Sequence, residues 1–94
     1  MSESSGANGR PGLRFGISVV PLAESYPQIV EQVVAAERAG LDLVGIQDHP
    51  YQRRFLDTYA LIGDLLARTE RLRVFPDVTS LPMRPPAMIA KAAT

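Results

Sequence analysis

The sequence predicts an α/β fold: a parallel βαβαβα segment that forms the first three strands of a (β/α)8 TIM-type barrel and leaves that barrel incomplete. Two observations lead to this prediction. Apolar segments with β-branched residues begin near Leu13, Asp42 and Leu72, so the repeating unit is roughly 30 residues long. A stretch with apolar residues at helical spacing follows each segment, which is typical of parallel strands joined by helical crossovers.

The first strand and the first helix are expected at the beginning of this pattern. Residues 13–20 end as a fully apolar run that Pro21 stops, which favours a strand. Ser25 is placed to cap the next helix, with a glutamine three residues later as in a capping box. Gly40 suits the left-handed position after that helix. The predicted apolar face of the helix consists of Ile29, Val30, Val33, Val34 and Ala36.

The second strand carries the strongest candidate site. Its apolar run at residues 43–46 suits a strand buried on both faces, and it turns abruptly polar at Gln47, Asp48 and His49 before Pro50. A buried strand that delivers an amide, a carboxylate and the chain's single imidazole at its carboxyl end is a common arrangement in α/β active sites. A second interpretation stays open, in which Asp48 caps a turn and His49 lies on a surface loop.

The rest of the pattern predicts one more strand and two helices. Asp57 is placed to cap the second helix, and the third strand begins near Leu72. That strand ends in small and polar groups at residues 76–80. A proline-rich loop follows, and a third helix is expected from Ala87 to Ala93. The predicted face of the second helix consists of Thr58, Ile62, Leu65, Leu66 and Thr69.

Composition excludes several classes of function. The 94 residues carry ten basic and ten acidic side chains, so no broad field attracts nucleic acid or an anionic membrane. No apolar run approaches the roughly 18 residues that span a bilayer. The absence of cysteine excludes disulfides and fits a cytoplasmic protein, and one histidine without cysteine makes a metal site an unattractive interpretation. Residues 1–12 are polar and are expected to form a disordered leader before the barrel segment at residues 13–94.

Other parallel folds fit the sequence less well. A dinucleotide-binding unit requires a glycine-rich turn after its first strand, and residues 21–25 contain no glycine. A phosphoacceptor receiver domain would place acidic residues at the end of that strand, where Val19 and Val20 stand. A flavodoxin-like binding domain would need two more strands. The barrel interpretation remains by elimination.

Three places in the sequence resemble one protein family. They are AERAGLD at residues 36–42, QDHP at residues 47–50, and ARTERLRV at residues 67–74 followed by RPPAMIAK at residues 84–91. In this order they resemble the amino-terminal part of luciferase-like monooxygenases, which are flavin- or deazaflavin (F420)-dependent oxidoreductases built on a (β/α)8 barrel. One departure is Pro85, where many members of the family have a histidine.

The resemblance implies roles for particular residues. Asp48 and His49 match an Asp-His pair that faces cofactor and substrate in the F420-using branch, and His49 would be the acid–base group. Several members have a non-proline cis peptide after the third strand that supports the flavin ring. Its nearest match is the bond between Asp77 and Val78, with Thr79 and Ser80 beside it. An ordinary turn is the alternative interpretation of Asp77.

The resemblance also implies a cofactor, FMN or F420, and a small organic substrate. The family chemistry is hydride transfer or oxygen activation, in which the cofactor carries the reaction. We expect the 94 residues to represent an inactive amino-terminal segment of a protein that is a homo-oligomer at full length. The alternative is a non-catalytic remnant or assembly piece that binds no cofactor.

Several residues receive no role from the resemblance. Arg53, Arg54 and Arg84 could contact a phosphate or a substrate carboxylate, but solvated surface or a subunit contact is the favoured interpretation. Met83 and Met88 are interpreted as packing residues.

Overall fold

A computed structural model describes residues 12–93. The expected leader therefore lies, except for Gly12, outside the described residues. Strands and helices alternate in the predicted order, and two 3-10 turns, Ala23–Ser25 and Leu81–Met83, precede the first and third helices. The elements are β1 (Gly16–Val19), α1 (Tyr26–Arg38), β2 (Leu43–Ile46), α2 (Thr58–Ala67), β3 (Arg73–Pro76) and α3 (Pro86–Ala93). No helix in this range has the length and apolarity needed to cross a membrane.

The three strands form one parallel sheet in the order β1-β2-β3. Val19 lies opposite Ile46 in the register, and Ile46 lies opposite Pro76, so the strands end together at one edge. Sequential neighbours are what the first part of a barrel requires. A flavodoxin-like sheet would place the first strand between the second and third, so the structure rules out that alternative.

Helices α1 and α2 bury one face of the sheet. The core residues that β1, β2, α1 and α2 share are Val19, Ile29, Val33, Val44, Ile46, Leu61 and Leu65. The predicted face of α2 is partly wrong, because Leu61 is buried whereas Leu66 is 46% exposed. The helix begins at Thr58, and the 3.6-residue period then places Leu61 and Leu65 on the stripe that faces the sheet.

The two ends of α1 differ in how well local sequence predicts them. Gly40 has φ +87°, its N–H donates to the Glu37 carbonyl, and the Leu41 N–H donates to the Ala36 carbonyl. This is the Schellman arrangement that a glycine after the helix predicts. The predicted cap at Ser25 is wrong, because the Ser25 side chain makes no capping hydrogen bond. Ser25 is the last residue of a 3-10 turn, and its backbone N–H donates to the Leu22 carbonyl of that turn.

Glu37 ties the end of α1 to the start of β3. Its carboxylate accepts backbone N–H groups from Glu70 at 2.8 Å, Arg71 at 2.6 Å and Leu72 at 3.2 Å. The Arg71 side chain in turn donates to the Glu37 carbonyl at 2.5 Å. The Arg71 N–H, with the neighbouring amides, lowers the pKa of Glu37. Two of the segments in the family resemblance therefore meet at the amino end of the sheet.

We expect Leu65→Ala to lower the free energy of unfolding by about 2–5 kcal/mol, because it opens a cavity in a fully buried position. The neighbouring Leu66→Ala is the matched control, and it should change stability by less than about 0.5 kcal/mol. Urea unfolding of both variants measures the difference. Equal losses in the two variants would contradict the assignment of the α2 face.

Candidate functional site

The candidate site lies where β2 and β3 end. The Asp77 N–H donates to the Ile46 carbonyl at 2.7 Å, and the Ser80 N–H donates to Asp48 Oδ2 at 2.7 Å. The polar residues after one strand are thus bonded to those after the next. We call Asp77, Val78, Thr79 and Ser80 the 77–80 segment. The structure brings Asp48 and Ser80, two of the predicted site residues, into direct contact.

Asp48 is buried, with 2% of its surface exposed, and forms a bidentate ion pair with Arg84. Arg84 Nε lies 2.8 Å from Asp48 Oδ2, and Arg84 Nη2 lies 2.6 Å from Oδ1. Hydrogen bonds from Arg84, and the Ser80 N–H, lower the pKa of Asp48. The alternative in which Asp48 only caps a local turn is wrong, since its partners lie 32 and 36 residues further along the chain.

Arg84 makes contacts beyond this pair. Its Nη2 also donates to Asp57 Oδ1 at 3.0 Å, and the guanidinium lies 4.6 Å from the centroid of the Tyr59 ring. The interpretation of Arg84 as solvated surface is wrong, because only 16% of its side chain is exposed. Arg84 is the cation that the buried carboxylate of Asp48 requires. Arg54 is paired with Glu24, with both side chains largely exposed, as the surface interpretation expects.

The 77–80 segment contains the cis peptide, which lies between Asp77 and Val78. Asp77 and Val78 also form a turn, so the cis peptide and the turn occur at the same place in the chain. The Val78 side chain is 75% exposed, and the Thr79 hydroxyl lies 2.7 Å from the Tyr59 hydroxyl. A β-carbon on Gly45 would lie 3.3 Å from both Cβ and Oδ2 of Asp77. Glycine at position 45 therefore leaves room for the Asp77 side chain on the face of the sheet that α1 and α2 do not cover.

His49 lies at the same edge but has a different partner from Asp48. Its Nδ1 is 3.0 Å from the Tyr51 hydroxyl, and its ring centroid is 6.1 Å from that of Phe55. A cavity of about 140 Å³ opens beside it, lined by Asp48, His49, Pro50, Phe55, Leu56, Asp57 and Thr58. His49 is half-buried, so its ring combines a fixed hydrogen bond at one nitrogen with access to this cavity.

Backbone pairing holds the loop that carries His49. The Ala23 N–H donates to the Arg54 carbonyl at 2.8 Å, and the Leu56 N–H donates to the Pro21 carbonyl at 2.7 Å. The Thr58 hydroxyl donates to the Gln47 carbonyl at 2.5 Å. The loops after β1 and β2 thus support each other. Within residues 12–93 no group of three acidic or histidine side chains could hold a metal ion.

Sequence analysis missed the role of Tyr59 and misplaced two methionines. Met83 is 52% exposed and Met88 is 65% exposed, so their interpretation as packing residues is wrong. They line an apolar groove of about 280 Å³ together with Tyr59 and residues of α3. The sequence signal for such a partner was the position of Asp48 just after an apolar strand, because an ionised carboxylate is rarely buried without a cation. This signal indicates that a cation is needed but does not identify Arg84 as its source.

Comparison with known proteins identifies one family. The family model described as luciferase-like monooxygenase matches residues 4–94, which is almost the whole chain. No curated protein gives a significant match. The family match includes all three places on which the resemblance was based, together with both strand ends that form the candidate site.

We expect Gly45→Ala to lower the free energy of unfolding by about 1 kcal/mol, because the new methyl group would crowd Asp77 and the Phe75 ring edge at 3.1 Å. Gly63→Ala in α2 is the matched control. Apart from its two chain neighbours and the nearby backbone of α2 itself, no atom lies within 4 Å of its new methyl group, so it should raise stability by about 0.5–1 kcal/mol. Opposite signs in denaturant unfolding are expected, and a gain in both variants would contradict close packing at Gly45.

The Asp48 ion pair predicts acid sensitivity. Because the pKa of Asp48 is lower in the folded chain than in the unfolded chain, its stabilisation is complete above about pH 4 and is lost as pH falls through the lowered value. Asp48→Asn should lower the free energy of unfolding at pH 7 by about 2–3 kcal/mol and flatten the decline at acid pH. Unfolding measured from pH 7 to pH 2 tests this, and an unchanged acid slope would refute it.

Proposed function

Because this chain belongs to the luciferase-like monooxygenase family, we propose that it serves an oxidoreductase that uses reduced FMN or reduced F420 on a small organic substrate. The family match over residues 4–94 carries the proposal. The position of the candidate site supports it, since active sites of parallel barrels lie at the carboxyl ends of the strands. We further propose that the complete protein is a homo-oligomer.

The residues at this edge fit the ring of such a cofactor. Val78, in the turn after β3, is 75% exposed, and Phe75, near the end of β3, is 41% exposed, so both offer apolar surface that a planar ring can cover. Arg84 is committed to Asp48 and Asp57 and is therefore a poor partner for phosphate. We expect the 77–80 segment to support the ring and other residues to bind the phosphate.

The protein's own groups supply binding and proton handling. When bound, the cofactor would carry the hydride or react with oxygen. His49 is the proposed acid–base group, because imidazole exchanges protons near neutral pH. Its Nδ1 is occupied by Tyr51, which leaves Nε2 as the ring nitrogen that can face a substrate. The adjacent cavity, which His49 lines, provides space for a small group.

A second candidate function is a non-catalytic assembly piece. The observation that favours it is exposed apolar surface: Phe15 is 48% exposed, Val20 is 44% exposed and Val78 is 75% exposed. Surface of this kind often marks a contact with another chain. An assembly piece would oligomerise without affinity for either cofactor, and that difference separates it from the oxidoreductase.

Titration of the purified full-length protein with FMN and, separately, with F420 tests the proposed function. We expect saturable quenching of cofactor fluorescence by one of them, with a Kd on the order of micromolar. Val78→Asp should weaken binding by roughly tenfold or more, because it places a charge against the ring. Leu66→Asp on the outer side of α2 is the matched control and should bind as wild type does. Failure of both cofactors to bind would refute the proposal.

A further inference from the structure

Arg84 connects three parts of the chain that meet at the carboxyl edge of the sheet. Its Nε and Nη2 bind Asp48 after β2, and Nη2 also binds Asp57, whose other oxygen caps α2 through the Ala60 N–H at 2.9 Å. Its guanidinium carbon lies over the ring of Tyr59, 4.6 Å from the centroid. The Arg84 side chain is 16% exposed, so water competes little with these contacts.

Two separate links lead from Arg84 to the 77–80 segment. In the first, Asp48 Oδ2 accepts hydrogen bonds from both Arg84 Nε and the Ser80 N–H. In the second, Tyr59 lies under the guanidinium and shares a hydrogen bond of 2.7 Å with the Thr79 hydroxyl. The two links end on adjacent residues, so the arginine fixes both the position and the orientation of that part of the backbone.

We propose that Arg84 is a positioning residue that holds the 77–80 segment in place to receive the cofactor ring. This inference rests on the proposed function. Arg84 does so through Asp48 and Tyr59 and does not itself contact the reacting atoms. Asp48 is then part of the same support, since both of its oxygens are engaged by donors from residues 80 and 84.

The geometry requires arginine and not merely a positive charge. A bidentate pair with Asp48, made while the cation also lies over the Tyr59 ring and binds Asp57, needs a group with several donors in a fixed geometry, which lysine lacks. Arg84→Lys keeps the charge beside Asp48 but cannot reproduce both contacts. It should therefore preserve folding better than Arg84→Met while still loosening the segment. Tyr59→Phe removes only the link to Thr79 and leaves the Asp48 pair in place.

The test compares Arg84→Lys, Arg84→Met and Tyr59→Phe with wild type, and uses Arg54→Met on the surface as the matched control. Hydrogen exchange of the Ser80 amide reports the position of the segment, and the Val44 amide reports global opening. Fluorescence titration with FMN and F420 reports affinity. In Arg84→Lys we expect Ser80 to exchange roughly tenfold faster with Val44 unchanged. Cofactor affinity should fall by roughly tenfold or more.

Two results would overturn the proposal. One is an Arg84→Lys variant with wild-type exchange at Ser80 and wild-type cofactor affinity. The other is equal acceleration at Ser80 and Val44, which would mean that Arg84 contributes only to global stability. A wild-type protein that binds neither cofactor would refute the proposed function, whereas Ser80 exchange would still show whether Arg84 positions the segment. If both Arg84 variants fail to fold, Tyr59→Phe tests the link to Thr79 by itself, and wild-type exchange at Ser80 together with wild-type cofactor affinity in that variant would refute the role of this link.

Discussion

This structure depends on one constraint, which is that a buried carboxylate requires a cation as its partner. Asp48 follows an apolar strand into a position with 2% exposure, and Arg84 neutralises it with two hydrogen bonds. Breaking such a pair by removing one partner costs about 3–5 kcal/mol, against a typical domain stability of about 5–15 kcal/mol. The end of β2, the start of α2 and the loop before α3 are therefore held together by one arginine, through its ion pairs with Asp48 and Asp57.

Carboxylates fix both edges of the sheet, but with different consequences. At the amino edge, Glu37 binds three successive backbone amides and joins α1 to β3. At the carboxyl edge, Asp48 binds one amide and one arginine, next to an exposed valine and an accessible imidazole. In parallel barrels the first edge serves stability and the second serves chemistry. The distribution of polar contacts in this chain agrees with that division.

Local signals explain which features could be predicted from sequence. The order of elements, the glycine after α1 and the Asp57 cap each depend on a few neighbouring residues, and all three are confirmed. The position of the cis peptide came from family resemblance and not from local chemistry. The role of Arg84 depends on a partner 36 residues away, which no local pattern reveals. The prediction of a cap at Ser25 was wrong because Ser25 is part of a 3-10 turn that precedes the helix.

Asp57 shows how this arrangement restricts sequence drift. Serine, threonine, asparagine and aspartate usually replace one another at the start of a helix with little loss. Here one oxygen of Asp57 caps α2 while the other binds Arg84, so only aspartate provides both an N-cap acceptor and a negative charge. A neutral cap would preserve the helix and still weaken the support beneath the site. Replacement of Asp57 by another capping residue is therefore more damaging than its role in the helix alone would predict.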